Sequence, residues 1–185
     1  HTLVYSTRRQ LWRQKDSACT TRVATSTDTD AIVRFWQQHG ERRLFFPAYR
    51  ADHLQKREGL LRDLSAGDVV LAERDGTIVG TAALWDQRGF RRWRVEGYSR
   101  ALALARHPYN MYAAIRGMPK LPSAGSDVPY CFVAALCAAP LDPLTSCKPG
   151  LQGPANEQAI AEALLHRLWR LAQYRDPKIQ LICGV

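Results

Sequence analysis

An α/β domain (α+β in the looser sense), with helices flanking a mixed, mostly antiparallel central sheet, is the fold class that this 185-residue sequence predicts. Three stretches carry the prediction. The first is "GDVVLAERDGTIVGTAALWDQR", where two runs rich in β-branched residues flank Asp75-Gly76. That dipeptide suits a two-residue turn with positive φ at both positions, so 69–74 and 77–86 pair as a hairpin. The second is "PYCFVAALCAAP", a nearly unbroken apolar run that fits a strand covered on both faces. The third is "PANEQAIAEALLHRLWRLA", where Ile160, Leu164, Leu168 and Leu171 form a stripe at helical spacing, widened by Leu165 and Ala172.

The remaining elements follow in chain order. Residues 1–19 are polar and basic, and read as an edge strand or as an extension or linker before a domain spanning 20–185. "TTRVATST" reads as a short strand. In "TDTDAIVRFWQQHG", Thr27 caps a helix with Asp30 three residues on, and Ile32, Phe35, Trp36 and His39 share one face up to Gly40. Pro47 breaks the connector "RRLFFPAYRADHL", whose Phe45, Phe46 and Tyr49 read first as packing residues. A second helix is expected from Asp52 to Leu64, with Leu54, Leu61 and Leu64 on its apolar face and Gly59 weakening it. Residues 97–117 read as a helix interrupted at Pro108, 118–129 and 140–153 as loops, and "KIQLICGV" as a strand.

Composition narrows the function classes. A hydrophobic content of 46% supports a real core. No apolar run reaches the roughly 18 residues of a membrane span, and no secretory signal opens the chain. Five cysteines without a CxxC pair, and five scattered histidines, favour buried thiols in a reducing cytoplasm over disulfides or a metal site. The net charge of +9 permits an anionic partner: nucleic acid, an anionic membrane surface or a phosphorylated small molecule. The densest basic stretch, "RGFRRWR", interleaves Arg88, Arg91, Arg92 and Arg94 with Phe90 and Trp93, a pattern able to stack on single-stranded nucleic acid. No nucleic-acid-binding module accompanies it, and a solvated loop explains it more simply.

The order strand, helix, helix, hairpin, inserted helix, strand, loop, helix, strand resembles the GNAT (N-acetyltransferase) superfamily across residues 20–185. "VVLAERDGTIVGTAALWDQ" resembles that family's second and third strands, "CFVAALCAAP" its fourth, "PANEQAIAEALLHRLWRLA" the following helix and "KIQLICGV" its fifth strand. "HGERRLFFPAY" and "ALWDQRGFRRWRVEGYS" resemble a bacterial branch often built of tandem domains. The resemblance implies a cytoplasmic, acetyl-CoA-dependent transferase acting on a small-molecule or peptide amine, with neither a membrane nor a nucleic-acid partner and with a second such domain or a homo-oligomer as companion.

The resemblance also implies a site. The fourth and fifth strands splay, Ala134, Ala135, Leu136 and Cys137 face the cofactor's pantetheine arm, and Lys148, Gly150, Gly153, Ala155 and Asn156 border its pyrophosphate at the helix start. The loop Lys148-Pro149-Gly150-Leu151-Gln152-Gly153 departs from the family's register, and Pro149 and Pro154 each remove a backbone donor. The family's last helix and closing strands, with their usual acid Tyr, lack counterparts here. Asp86 and Tyr98 are the remaining catalytic candidates. Two alternatives stand beside this reading: an inactive domain of the same fold with a structural or partner-binding role, and a basic nucleic-acid-binding protein.

Overall fold

The computed structural model describes residues 4–6, 19–40, 47–56, 59–116, 118, 120–139, 154–177, 179 and 181–184, with backbone alone for 4–6, 154–156 and 181–184. The element order is β1 (Val4–Ser6), β2 (Thr20–Val23), α1 (Thr29–Gly40), α2 (Ala51–Lys56), β3 (Val69–Arg74), β4 (Thr77–Trp85), α3 (Arg100–Arg116), β5 (Tyr130–Ala138), α4 (Pro154–Arg175) and β6 (Leu181–Gly184). One six-stranded sheet results, in the order β1-β6-β5-β4-β3-β2. Every neighbouring pair is antiparallel except β5 and β6, whose parallel pairing follows from the crossover through α4. The expected fold class is the observed one. Of the two readings of the first nineteen residues, Val4–Ser6 adopts the edge strand, against β6.

The hairpin forms as its turn chemistry requires. Asp75 and Gly76 have φ of 49° and 75°, and Arg74 opposes Thr77 across the turn. The sheet is buried on both faces. On one, Val70, Ala72, Val79, Ala82, Leu84, Cys131 and Val133 meet Ile160, Leu164, Leu168 and Ala172 of α4. On the other, Val69, Leu71 and Ala83 meet Ile32, Phe35 and Trp36 of α1 together with Leu54, Leu61 and Leu64. The apolar positions read from helical spacing are thus the core positions.

Three local expectations are corrected. The cap of α1 sits two residues before Thr27 and Asp30. Asp28 accepts from the Thr25 backbone N–H at 2.8 Å and from the Thr25 hydroxyl at 2.9 Å, which winds Ser26–Asp28 into a 3-10 turn leading into α1. Arg22 favours this earlier box, because its guanidinium binds Asp28 at 2.7 Å and Glu73 of β3 at 2.7 Å. The helix expected from Asp52 to Leu64 ends at Lys56. Gly59 and Asp63 take φ of 67° and 64°, conformations that no α-helix contains, and Gly59–Leu61 is a separate 3-10 turn. Conversely, α3 runs through Pro108 without a break. Pro108 has no N–H for the Leu104 carbonyl, and Leu104 lies on the exposed side of the helix, where that loss costs least.

Two pairings fasten the carboxyl end of α4. Arg175 binds Asp68 and donates to the Gly67 carbonyl at 2.7 Å, while Asp176 accepts from Arg88 at 2.7 Å. The helix crosses the sheet at Gly80, where a Cβ would lie 2.6 Å from Ile160 Cγ2 and 3.1 Å from Leu164 Cδ1. Gly80 opposes Ala138, the last residue of β5. The amino end of α4 therefore projects past the carboxyl end of β5, as the resemblance implies.

Two predictions follow from this packing. Gly80→Ala pushes a methyl against a β-branched side chain, and urea unfolding should show a loss of about 1–3 kcal/mol. The Arg22 pairing holds the Asp28 carboxyl well below the usual carboxylate range. A depressed folded-state value contributes stability above the unfolded value of about 4 and loses it as pH falls further. Arg22→Gln should therefore cost about 1–2 kcal/mol at neutral pH and flatten the acid limb of the stability curve; an unchanged acid limb counts against this pairing.

Candidate functional site

The β4–β5 ladder is irregular at one place. Thr81 opposes Cys137 and Ala83 opposes Ala134, so Ala135 and Leu136 together face Ala82. This is a β-bulge, and Ala135 sits in it with φ of 48°. A non-glycine residue there costs about 1 kcal/mol and persists only where its surroundings hold it. They do so through a buried chain of two hydrogen bonds. The Trp36 indole N–H donates to Thr81 Oγ1 at 2.8 Å, and the Thr81 hydroxyl donates to the Ala135 carbonyl at 3.0 Å. Trp36 is packed by the Tyr49 ring at 4.8 Å between centroids.

The bulge changes which way β5 faces. Cys131 and Val133 point to the α4 side, and Leu136 and Ala138 do so after it; Ala134, Ala135, Cys137 and Ala139 belong to the α1 side. Ala134 and Leu136 keep some accessible surface, while the Cys137 side chain is fully buried. The buried Cys137 side chain packs on the α1 side of the sheet. Cys131 is buried as well, and its thiol is pushed up to about 12, chiefly by desolvation.

On its other edge β5 pairs with β6 from Tyr130↔Leu181 to Val133↔Gly184, which takes in every residue of β6, so the expected splay of these two strands is not seen among the described residues. Among the described residues, the part of β5 that bears the bulge has β4 as its ladder partner, and α4 starts at the same end of the sheet. Of the nine expected cofactor-binding residues, Ala134 to Cys137 lie on this part of β5, and Ala155 and Asn156 lie in the first turn of α4. Lys148, Gly150 and Gly153 lie outside the described residues.

The two catalytic candidates are placed elsewhere. Asp86 follows β4 and is gripped by Arg88, whose Nε and Nη2 reach its two oxygens at 2.9 and 2.7 Å; Arg88 also holds Asp176 beyond α4. The Arg88 hydrogen bonds keep the Asp86 carboxyl below its ordinary value and hence a weaker base. Its link to Asp176 puts Asp86 by the carboxyl end of α4, whereas the bulge lies toward the amino end. Tyr98 donates its hydroxyl to the Pro122 carbonyl at 2.8 Å, fastening the segment before α3 to the segment after it. The structure gives each residue an internal partner and does not gather the two with the bulge.

The basic stretch is similarly engaged. Arg88 is paired as described, and Arg94 binds Asp127 at 3.1 Å. Trp93 lies 5.0 Å from Tyr130 and 6.0 Å from Phe132, centroid to centroid, and Arg62 covers the Phe90 ring at 5.0 Å. Trp93, half exposed, thus belongs to an aromatic cluster at the start of β5, and Phe90 packs against Trp85 at the end of β4.

No family model and no curated protein matches the chain. Solved structures do. A Mycobacterium tuberculosis protein in complex with CoA aligns at 14% identity and a TM-score of 0.46, over 89% of this chain and 63% of its own. N-acetylglutamate synthase from Neisseria gonorrhoeae, complexed with coenzyme A and N-acetyl-glutamate, aligns at 15% and 0.43, over 88% of this chain and 24% of its own. Ribosomal-protein-alanine N-acetyltransferase from Brucella melitensis aligns at 18% and 0.45, over 89% and 72%. The chain thus spans under two thirds of the first two, and at these identities and scores the ligands and activities named are those proteins' own.

Thr81 and Trp36 were not among the site residues read from the sequence. Trp36 was legible only as a core residue. A Thr in the apolar run "TIVGTAALW" was the available signal, since a buried hydroxyl demands a partner. Thr81→Val keeps the shape and orphans both the Trp36 N–H and the Ala135 carbonyl. Urea unfolding should show a loss of about 2–4 kcal/mol, and Thr81→Ser should recover most of it.

Proposed function

We propose that the domain binds acetyl-CoA along the bulged part of β5 and transfers its acetyl group to an amine. The observation that carries the reading is the bulge itself, pinned at Ala135 by Thr81. A bulge bends its strand and disrupts its ladder, and the backbone of β5 beyond Val133, past its pairing with β6, would in this reading be offered to an extended amide-containing ligand. Pantetheine, with two amides, is such a ligand. Its pyrophosphate would meet the amino end of α4, where backbone N–H groups without a helical acceptor and the helix dipole favour negative charge. The net charge of +9 attracts a polyanionic cofactor. In this reading Lys148, Gly150 and Gly153 complete the cradle.

Asp86 is made a weaker base by its Arg88 hydrogen bonds, and that pairing supports a role in fixing α4. Asp86→Asn should lower the melting temperature and leave acetyl-CoA affinity within about twofold, because it loosens the Arg88 clamp rather than the slot. A fall in turnover of acetyl-CoA with an amine, at unchanged stability, would restore the catalytic role to it.

The central test is binding. Acetyl-CoA at a hundredfold excess over its dissociation constant should stabilise the fold by about 2.7 kcal/mol, read as a thermal shift. Ala155→Pro removes one N–H from the first turn of α4, a position that tolerates proline. Acetyl-CoA affinity should then fall roughly tenfold, the worth of one charge-assisted hydrogen bond. Absence of any shift at millimolar acetyl-CoA would leave the fold with a structural or partner-binding role.

A further inference from the structure

The helix α3 presents its apolar face outward. Its inner face is fixed by spacing and by bonds. Arg106 donates to the Pro122 carbonyl at 3.2 Å, Asn110 exchanges two hydrogen bonds with Leu121 at 2.7 and 3.0 Å, and Ala113 is fully buried. Leu104, Met111 and Ile115 recur at the same helical spacing on the opposite side, and they are 81%, 68% and 79% exposed. Tyr112, half exposed, borders them with the Arg116 guanidinium over its ring. A surface helix ordinarily turns such a row inward.

Charge decides what suits this face. From residue 97 to 126 the sequence holds no Asp or Glu, while Arg100, Arg116 and Lys120 supply three cations beside the inward-bonded Arg106. Asp127, the next carboxylate, is taken by Arg94. A second copy of the face fits poorly. Antiparallel pairing of two α3 helices about Pro108 sets Arg100 of one against Arg116 of the other, and like charges so juxtaposed are costly. An apolar row with cationic edges and an aromatic side chain at its border is instead the pattern of a helix lying in a lipid interface.

We infer that α3 docks flat on an anionic lipid surface, its Leu104, Met111 and Ile115 entering the acyl boundary and its Arg100 and Arg116 meeting the headgroups. This departs from the expectation that no membrane is a partner. It concerns a surface-lying helix, since none of the described helices is long and apolar enough to cross a bilayer. It is independent of the proposed acyl transfer.

Vesicle flotation tests it. The chain should float with phosphatidylcholine vesicles containing about 30% phosphatidylglycerol and stay behind with pure phosphatidylcholine. The double variant Leu104→Glu/Ile115→Glu should lose at least about tenfold in partitioning at an unchanged melting temperature, because both side chains are already exposed. Arg100→Gln/Arg116→Gln should weaken flotation and its dependence on salt. The inference would be overturned by no flotation with the anionic vesicles, by flotation that survives the Glu variants, which would place binding elsewhere on the basic surface, or by a solution dimer that Leu104→Glu dissociates. Retention on polyglutamate without flotation would likewise overturn it and reassign the face to an acidic protein.

Discussion

A single buried hydroxyl joins the two halves of this architecture. Thr81 stands at the middle of β4, accepts from a tryptophan on α1 and donates to a carbonyl that the neighbouring strand has turned out of register. Without a polar group at that point, Ala135 would have no reason to occupy a left-handed conformation, and β5 would run as a regular strand. With it, the strand changes the faces of its side chains at mid-length while remaining covered on both sides. The parity change accounts for the composition of the run. Alanines occupy 134 and 135, where two consecutive side chains must fit on one side, and larger residues resume beyond them.

The placement of α4 is the second consequence. The helix lies close enough to β4 that only a glycine fits beneath it, and its carboxyl end is fixed by Arg175 to the segment before β3 and by Asp176 to Arg88. One end of the helix is thereby bonded to the body. The other projects past the carboxyl end of β5, beyond the bulge. The geometry that an anionic ligand would use thus comes from contacts remote from it.

Much of this was legible in the sequence, for identifiable reasons. The hairpin about Asp75-Gly76 was read within a residue because positive φ at two successive positions leaves little choice of turn. The stripe Ile160, Leu164, Leu168 and the face Ile32, Phe35, Trp36 were read correctly because burial follows the 3.6-residue period. The bulge was not legible, since a shift of register is a relation between strands and leaves no periodic mark on one of them. The α1 cap was misplaced by two residues because Thr25 and Thr27 offer the same side chain, and Arg22 with Glu73, distant in sequence, decides between them. For Asp86, pairing with a neighbouring Arg was the favoured reading beside a catalytic one, and Arg88 is that partner; that the same Arg88 also holds Asp176, far along the chain, was not legible.

The contact at Gly80 has a reach beyond its own position. With no space between that backbone and the Ile160 side chain, the glycine cannot gain a side chain alone. A bulkier residue on the strand is admissible only where the helix carries a smaller one opposite. Among divergent descendants of this chain, those two positions should therefore drift as a pair, leaving a correlated trace of how near the helix must stay.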